Sequence, residues 1–258
     1  MIEILDRFFE SSMAPMTPPP SYGWFHISFT LIGFVLCAIS AWNLRKVSDK
    51  ATKWIVFCFG LFLIISEIYK QLFLYFNSAD HTYNWGELPF QLCSVPMYLC
   101  LIAPWLKHRR IQRGMYSFMV LFNLLGGGIA FAEPSGLMLS DWFSTIHALL
   151  WHMSLVFLGL FLCFSKRGAT QKGDYSGAAI TFIFLCGIAF VINIVVQNVL
   201  GKHINMFFVG PGESPLIVFK QFCQWFGWPV NTLIYIFAVC LGAYVIYLVI
   251  QLFQKKTK

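Results

Sequence analysis

The chain is 258 residues long, 58% hydrophobic and 18% aromatic, with 11% charged residues and a formal net charge of +7. Soluble domains carry roughly 25% charged residues, so this composition excludes an ordinary soluble domain and indicates a polytopic membrane protein. The apolar runs are long enough to cross a bilayer, at about 20 residues each, and lack the alternation of barrel strands; the fold class expected is an all-α, seven-helix membrane bundle.

Residues 1–22 read as an outer interfacial segment. Ile4, Leu5, Phe8 and Phe9 share one side of a short helix, with Glu3, Asp6, Arg7 and Glu10 on the other. Such a helix lies in the plane of the interface. The acidic start is not that of a signal peptide. Pro18, Pro19 and Pro20 then end any helix.

Seven spans follow, at about 23–43, 54–76, 88–106, 114–132, 142–164, 177–200 and 230–252. Of the 18 Lys and Arg residues, 14 fall in the loops after spans one, three and five and in the tail, 253–258. The excess marks the cytoplasmic side, so the amino terminus is expected outside and the carboxyl terminus in the cytoplasm. The acidic residues agree: Glu3, Asp6, Glu10, Asp80, Glu87, Glu133, Asp141 and Glu213 fall outside, against Asp49 and Asp174 inside. The long outer loop, 201–229, carries Trp225 and Trp228 and is expected to fold back on the membrane surface. No internal repeat and no appended soluble domain is visible, so 1–258 reads as one membrane domain. The basic residues are a topology signal rather than a nucleic-acid surface.

Eight cysteines show no CxxC pair and no metal-ligand spacing. Most lie in apolar runs, where Cys packs as a small hydrophobe. A disulfide framework is not expected, and nothing calls for a metal, a cofactor or a nucleic acid.

Polar residues inside the spans carry the functional signal, because they are costly in hydrocarbon. Glu67, Lys70 and Gln71 share one face of span two by their i, i+3, i+4 spacing, which suits an intramembrane ion pair. Span three opens with Gln91, Cys93 and Ser94, and Pro96 is able to kink it. In span four, Gly126, Gly127 and Gly128 allow close helix approach. Span five carries His147 and His152, span six Asn193, Gln197 and Asn198, and span one His26 near its outer end. Most of these groups fall in the outer half of the spans, while the inner half is almost wholly apolar. The asymmetry predicts a polar cavity reached from the outer face.

A thiol beside an imidazole becomes a nucleophile, so Cys93 with a histidine is a candidate acyl-transfer pair. By depth, Cys93 and His147 lie about 8 Å below the outer end and His152 about 15 Å. The two histidines point about 140° apart on one helix, so both cannot face Cys93. No GxSxG, P-loop, HExxH or Rossmann motif is present.

Several stretches resemble the YwaF-like seven-span bacterial integral membrane proteins. Leu88-Pro89-Phe90-Gln91-Leu92-Cys93 is similar to that family's Leu-Pro-x-His-Leu-Cys element, with Gln91 where His is common. Trp151-His152-Met153-Ser154-Leu155 resembles its span-five histidine, Phe25-His26 its first-helix histidine, and Asn193 through Asn205-Met206-Phe207-Phe208 its Asn-rich segment. The architecture is also similar to an animal transmembrane acyltransferase acting on phospholipids and, more distantly, to the androgen-induced membrane hydrolases of fatty-acid esters. The resemblance implies Cys93 as nucleophile and His152 as base; depth instead favours His147, the alternative base. The resemblance also implies membrane lipids as substrates; amides such as Gln91, Asn193 or Asn198 would bind the oxyanion. His26, Glu67 and Lys70 would support the site. A competing reading is a non-catalytic transporter or receptor for a small polar solute, built on Glu67, Lys70 and the Asn-rich face of span six. Either would sit in a cell membrane, the short chain suiting a bacterial plasma membrane.

Overall fold

The computed structural model describes residues 2–212, 214 and 216–255. Of the charges assigned to the two sides above, Glu213, Lys256 and Lys258 lie outside the described residues. The helices are α1 (Ile2–Ser12), α2 (Trp24–Asn43), α3 (Asp49–Phe76), α4 (Val95–Ile102), α5 (Arg109–Ala132), α6 (Trp142–Phe164), α7 (Asp174–Leu200) and α8 (Ile217–Lys255). Six helical stretches, all but α1 and α4, are long and apolar enough to cross a membrane. Their outward faces are rich in exposed Leu, Ile, Val and Phe, such as Leu31, Ile65, Ile180 and Leu233, as a lipid solvent requires.

α5 is the centre. Phe118, Met119, Val120, Leu121 and Phe122 are each buried at 0–1% exposure, so this helix is apolar all round and surrounded by protein. Phe122 stacks on Phe118 at 4.8 Å and on Phe182 of α7 at 4.7 Å. α5 meets α7 through two glycines. A Cβ on Gly114 would lie 3.2 Å from the Gly177 carbonyl oxygen, and one on Gly177 would lie 3.0 Å from the Gly114 Cα. Small residues permit this backbone approach, which is how helices gain contact where no hydrophobic drive acts between them. Of the three consecutive glycines expected to serve such packing, only Gly127 does. A Cβ there would meet Val156 of α6 at 2.6 Å, whereas Gly126 and Gly128 face open space. Successive helical residues point about 100° apart, so three in a row cannot share one interface.

Polar bonds gather helix ends at two opposite faces. At the basic face Arg113 of α5 forks onto Asp174 of α7 at 2.7 and 2.8 Å. Arg167, just beyond α6, pairs with Asp49 of α3 at 2.5 Å. Tyr247 and Gln251 of α8 donate to the carbonyls of Gln171 and Ala169. At the opposite face Asp141 caps α6 through the Ser144 amide and also accepts from the Ala14 amide at 2.8 Å. α1 forms as expected, and its Phe9 is buried against Phe76, stacked at 5.2 Å.

Two expected elements are corrected. The third span, 88–106, is not a continuous helix. Residues 88–94 are non-helical, and the helix begins only at Val95. With the 3-10 turn Ala103–Trp105 it runs 11 residues, about 16 Å at 1.5 Å per residue. Pro96 causes no kink, because it sits in the first turn of α4, where its missing N–H has no helical partner to lose. Part of the long loop, 201–229, is not at the surface. Residues 204–210 insert into the bundle, with Met206 and Phe207 fully buried. Beyond them α8 is already helical from Ile217, with a break at Gly227, whose φ is 76°, followed by Pro229.

Candidate functional site

Cys93 sits in the turn that leads into α4, one residue before its N-cap, Ser94. The amides of Ser94 and Val95 bond the Gln91 carbonyl at 2.8 and 3.2 Å. Tyr98 reaches back to the Pro89 carbonyl at 2.9 Å. These bonds hold the Pro89–Cys93 stretch as a fixed non-helical segment. That arrangement is tolerated at membrane depth only when buried in protein. The indole Nε1 of Trp151 on α6 donates to the Cys93 carbonyl at 3.1 Å. Cys93 then packs with Leu63, Met97, Trp151 and Leu155.

Glu67, Lys70 and Gln71 meet as their spacing predicts. Lys70 Nζ lies 3.0 Å from Glu67 and 3.3 Å from Glu87. Gln71 Nε2 donates at 2.6 Å to both Glu67 Oε1 and the Glu87 carbonyl. The Glu67 side chain is 6% exposed and that of Glu87 45%, so the pair of carboxylates spans the boundary between bundle and solvent. The knot fastens the 3-10 turn Trp85–Glu87 to α3 and so fixes where the Cys93 segment starts. Tyr83, on the same loop, has its phenol pushed above its usual range by burial. Lys70 opposes that shift, and Glu67 and Glu87 reinforce it.

The histidines of α6 differ in surroundings. The His147 ring stacks on Trp151 at 5.6 Å, one helical turn away, so both lie on the side of α6 that meets the Cys93 segment. Its Nε2 is buried and without a hydrogen-bond partner. His147 lines a cavity of about 520 Å³ between α1, α3 and α6, together with Ser66, Phe143, Leu63 and Trp151. The last two belong to the packing around Cys93 as well. His152 is half-buried, and its Nδ1 lies 2.9 Å from the Ala148 carbonyl. A carbonyl only accepts, so Nδ1 carries the proton and Nε2 the lone pair. His152's carbonyl faces Gly127 of α5.

Gln91, Asn193 and Gln197 hold the inserted loop. Asn193 is fully buried; its amide donates to the Met206 carbonyl at 3.0 Å, and its oxygen accepts the Met206 amide at 2.7 Å. Gln91 accepts the Phe207 amide at 2.9 Å and donates to the Asn205 carbonyl at 3.4 Å. Gln197 donates to the carbonyls of Ile204 and Pro211. Phe207 and Phe208 both have φ of 56°, a conformation costly for residues with a Cβ. The loop thus needs these side-chain amides, and two of the amides expected at an oxyanion, Gln91 and Asn193, are engaged by backbone. Asn198 is exposed on α7. His26 lies apart, buried between Tyr22 and Phe131 with neither ring nitrogen bonded.

Sequence reasoning missed Trp151, Glu87 and Asn205 as parts of this site. Asn205, whose oxygen accepts the Gly210 amide at 2.8 Å, was within reach as a turn-forming residue. Trp151 carried no separable signal, because an indole on an apolar helix reads as lipid-facing. All eight cysteines are free. Among the described residues no group of three His, Cys, Asp or Glu comes together as a metal site.

Residues 21–247 match the model of the TMEM164 family, and the chain belongs to that family of membrane proteins. No curated protein and no solved structure matches it.

Proposed function

Starting from that membership, we propose that the protein is a membrane-embedded acyltransferase or hydrolase of lipid esters, with Cys93 as its nucleophile. The observation that carries this reading is the docking of Trp151 on the Cys93 backbone. It sets α6, which carries His147 one turn from Trp151, against the Cys93 segment. A cavity lined by His147 opens beside the same Leu63 and Trp151.

In this reading a histidine of α6 takes the Cys93 proton as sulfur attacks the acyl carbonyl. The ester C–O bond breaks, and the histidine returns the proton to the departing lysolipid oxygen. A lysolipid hydroxyl or water then attacks the thioester. The C–S bond breaks and the thiol is restored. The resemblance assigns the base to His152, whose Nε2 holds the free lone pair. The cavity favours His147, the alternative base. Gln91 and Asn193 support the site by fixing the 204–210 loop, and Glu67 and Lys70 by fixing the turn at Glu87.

The proposal includes seven passes, the third completed by residues 88–94 and α4. It puts the basic face in the cytoplasm, with the amino terminus outside. The test is turnover of phospholipid carrying a labelled acyl chain in proteoliposomes. Cys93→Ala should abolish it, and of His152→Ala and His147→Ala the base variant should fall with it. Turnover undiminished in Cys93→Ala would remove the reading.

A further inference from the structure

The basic face holds a second cavity, independent of the proposed chemistry. It measures about 270 Å³ and is lined by Lys53, Arg109, Arg113, Lys166 and Arg167, with Asp49 its one carboxylate. Topology requires basic residues at one face of a membrane protein. It does not require them to converge on one concavity.

The acids here are committed. Asp49 is held by Arg167. Asp174 is taken by the Arg113 fork and by the amides of Thr170 and Gln171 at 2.8 Å each. Lys53, Arg109 and Lys166 are left with no acidic partner among the described residues. Arg167 Nε is buried and has no hydrogen-bond partner either. The field adds to this. α3 and α5 both begin at this cavity, at Asp49 and Arg109, so two positive helix ends point the same way as the cations. Cations at a helix N-terminus are unfavourable, and an anion there is favourable.

We propose that this cavity binds the phosphate of a phospholipid headgroup, through Lys53, Arg109 and Lys166. Depth selects the lipid as the source. Trp54 follows the lining residue Lys53 in the chain, and Trp105 follows Pro104, whose carbonyl the lining residue Gln112 bonds; the two indoles are in edge contact at 5.2 Å, each 48% exposed. Exposed tryptophans mark the headgroup level. The cavity volume also exceeds the roughly 30 Å³ share of one water many times over, so a phosphate and its glycerol fit. The competing source of the same chemistry is a free phosphate from solution.

The test uses the full chain in neutral detergent, with phosphatidylglycerol, phosphatidylcholine and inorganic phosphate as separate probes. Binding is read by native mass spectrometry and by the shift in melting temperature. Phosphatidylglycerol should bind best, and K53Q/R109Q/K166Q should weaken it by about tenfold or more. The control variant R45Q/K46Q, on the same face but outside the cavity, should retain it. Should the triple variant fail to fold, the exposed single change Lys166→Gln carries the same comparison. Binding of inorganic phosphate, lost in the triple variant while no lipid binds, would keep the site and overturn the lipid assignment. Equal loss in the control, or none in the triple variant, would overturn the site itself.

Discussion

The indole Nε1 of Trp151 lies 3.1 Å from the carbonyl oxygen of Cys93. This bond ties the middle of α6 to the non-helical apolar stretch that leads into α4. Without it, the Cys93 carbonyl faces a low-dielectric interior with no donor. Trp151→Phe keeps most of the packing and removes the donor. We expect a loss of about 1–3 kcal/mol, the cost of a buried group left unsatisfied. Thermal melting in detergent measures the loss. Turnover should fall further than stability explains, because the Cys93 segment loses its register against α6.

The Glu67, Lys70 and Glu87 knot makes an unequal pair of predictions. Lys70→Met leaves the nearly buried Glu67 without its cation and should destabilise by about 3 kcal/mol or more. Glu87 is half-exposed, so its own contact with Lys70 is worth about 1 kcal/mol or less, and Glu87→Gln should change the melting temperature little. Glu67→Gln together with Lys70→Met should be milder than Lys70→Met alone, since no buried charge is then left unpaired. Equal losses for all three variants would show that the knot is not electrostatic.

Asn193 and the inserted loop form one unit. Asn193→Leu breaks both bonds to Met206 and strands two buried backbone groups, at a cost of about 2 kcal/mol or more. The released loop should become open to protease between residues 201 and 216. Limited proteolysis in detergent reads this directly. The contrast is Asn198→Leu on the exposed side of α7, which should leave the cleavage pattern unchanged.

The α5–α7 contact predicts a packing asymmetry among glycines. Gly114→Ala drives a methyl into the Gly177 backbone and should cost about 1–3 kcal/mol. Gly126→Ala, facing open space, should instead be neutral or slightly stabilising, as alanine favours a helix over glycine by about 1 kcal/mol.

Much of this fold was legible in the chain. Six of the expected spans are helices near their expected bounds, because an apolar run of that length has few alternatives in lipid. The spacing of Glu67, Lys70 and Gln71 told their shared face, since 3.6 periodicity is local. What the sequence hid was non-local. Nothing near Gln91 shows that its amide meets Phe207, more than a hundred residues away. The apolar run 88–106 reads as a helix until the loop that covers its first half is known. The same loop explains why Asn193 is polar at membrane depth: it replaces a partner strand for Met206 rather than lining open space. Trp151 had to be seen against Cys93, because its role lies in one donor atom.

The measurement that tests the central claim most directly is acylation of Cys93 itself. The purified protein is incubated with phospholipid carrying an isotopically labelled acyl chain, then digested and examined by mass spectrometry. The account predicts a labelled acyl group on the peptide containing Cys93, released by neutral hydroxylamine and absent from Cys93→Ser as a thioester. The label on Cys93 should fall in the variant lacking the base that takes the thiol proton, His152 or His147. Labelled fatty acid or lysolipid exchange that proceeds with no acyl group ever on Cys93, and equally well in Cys93→Ser, would contradict it.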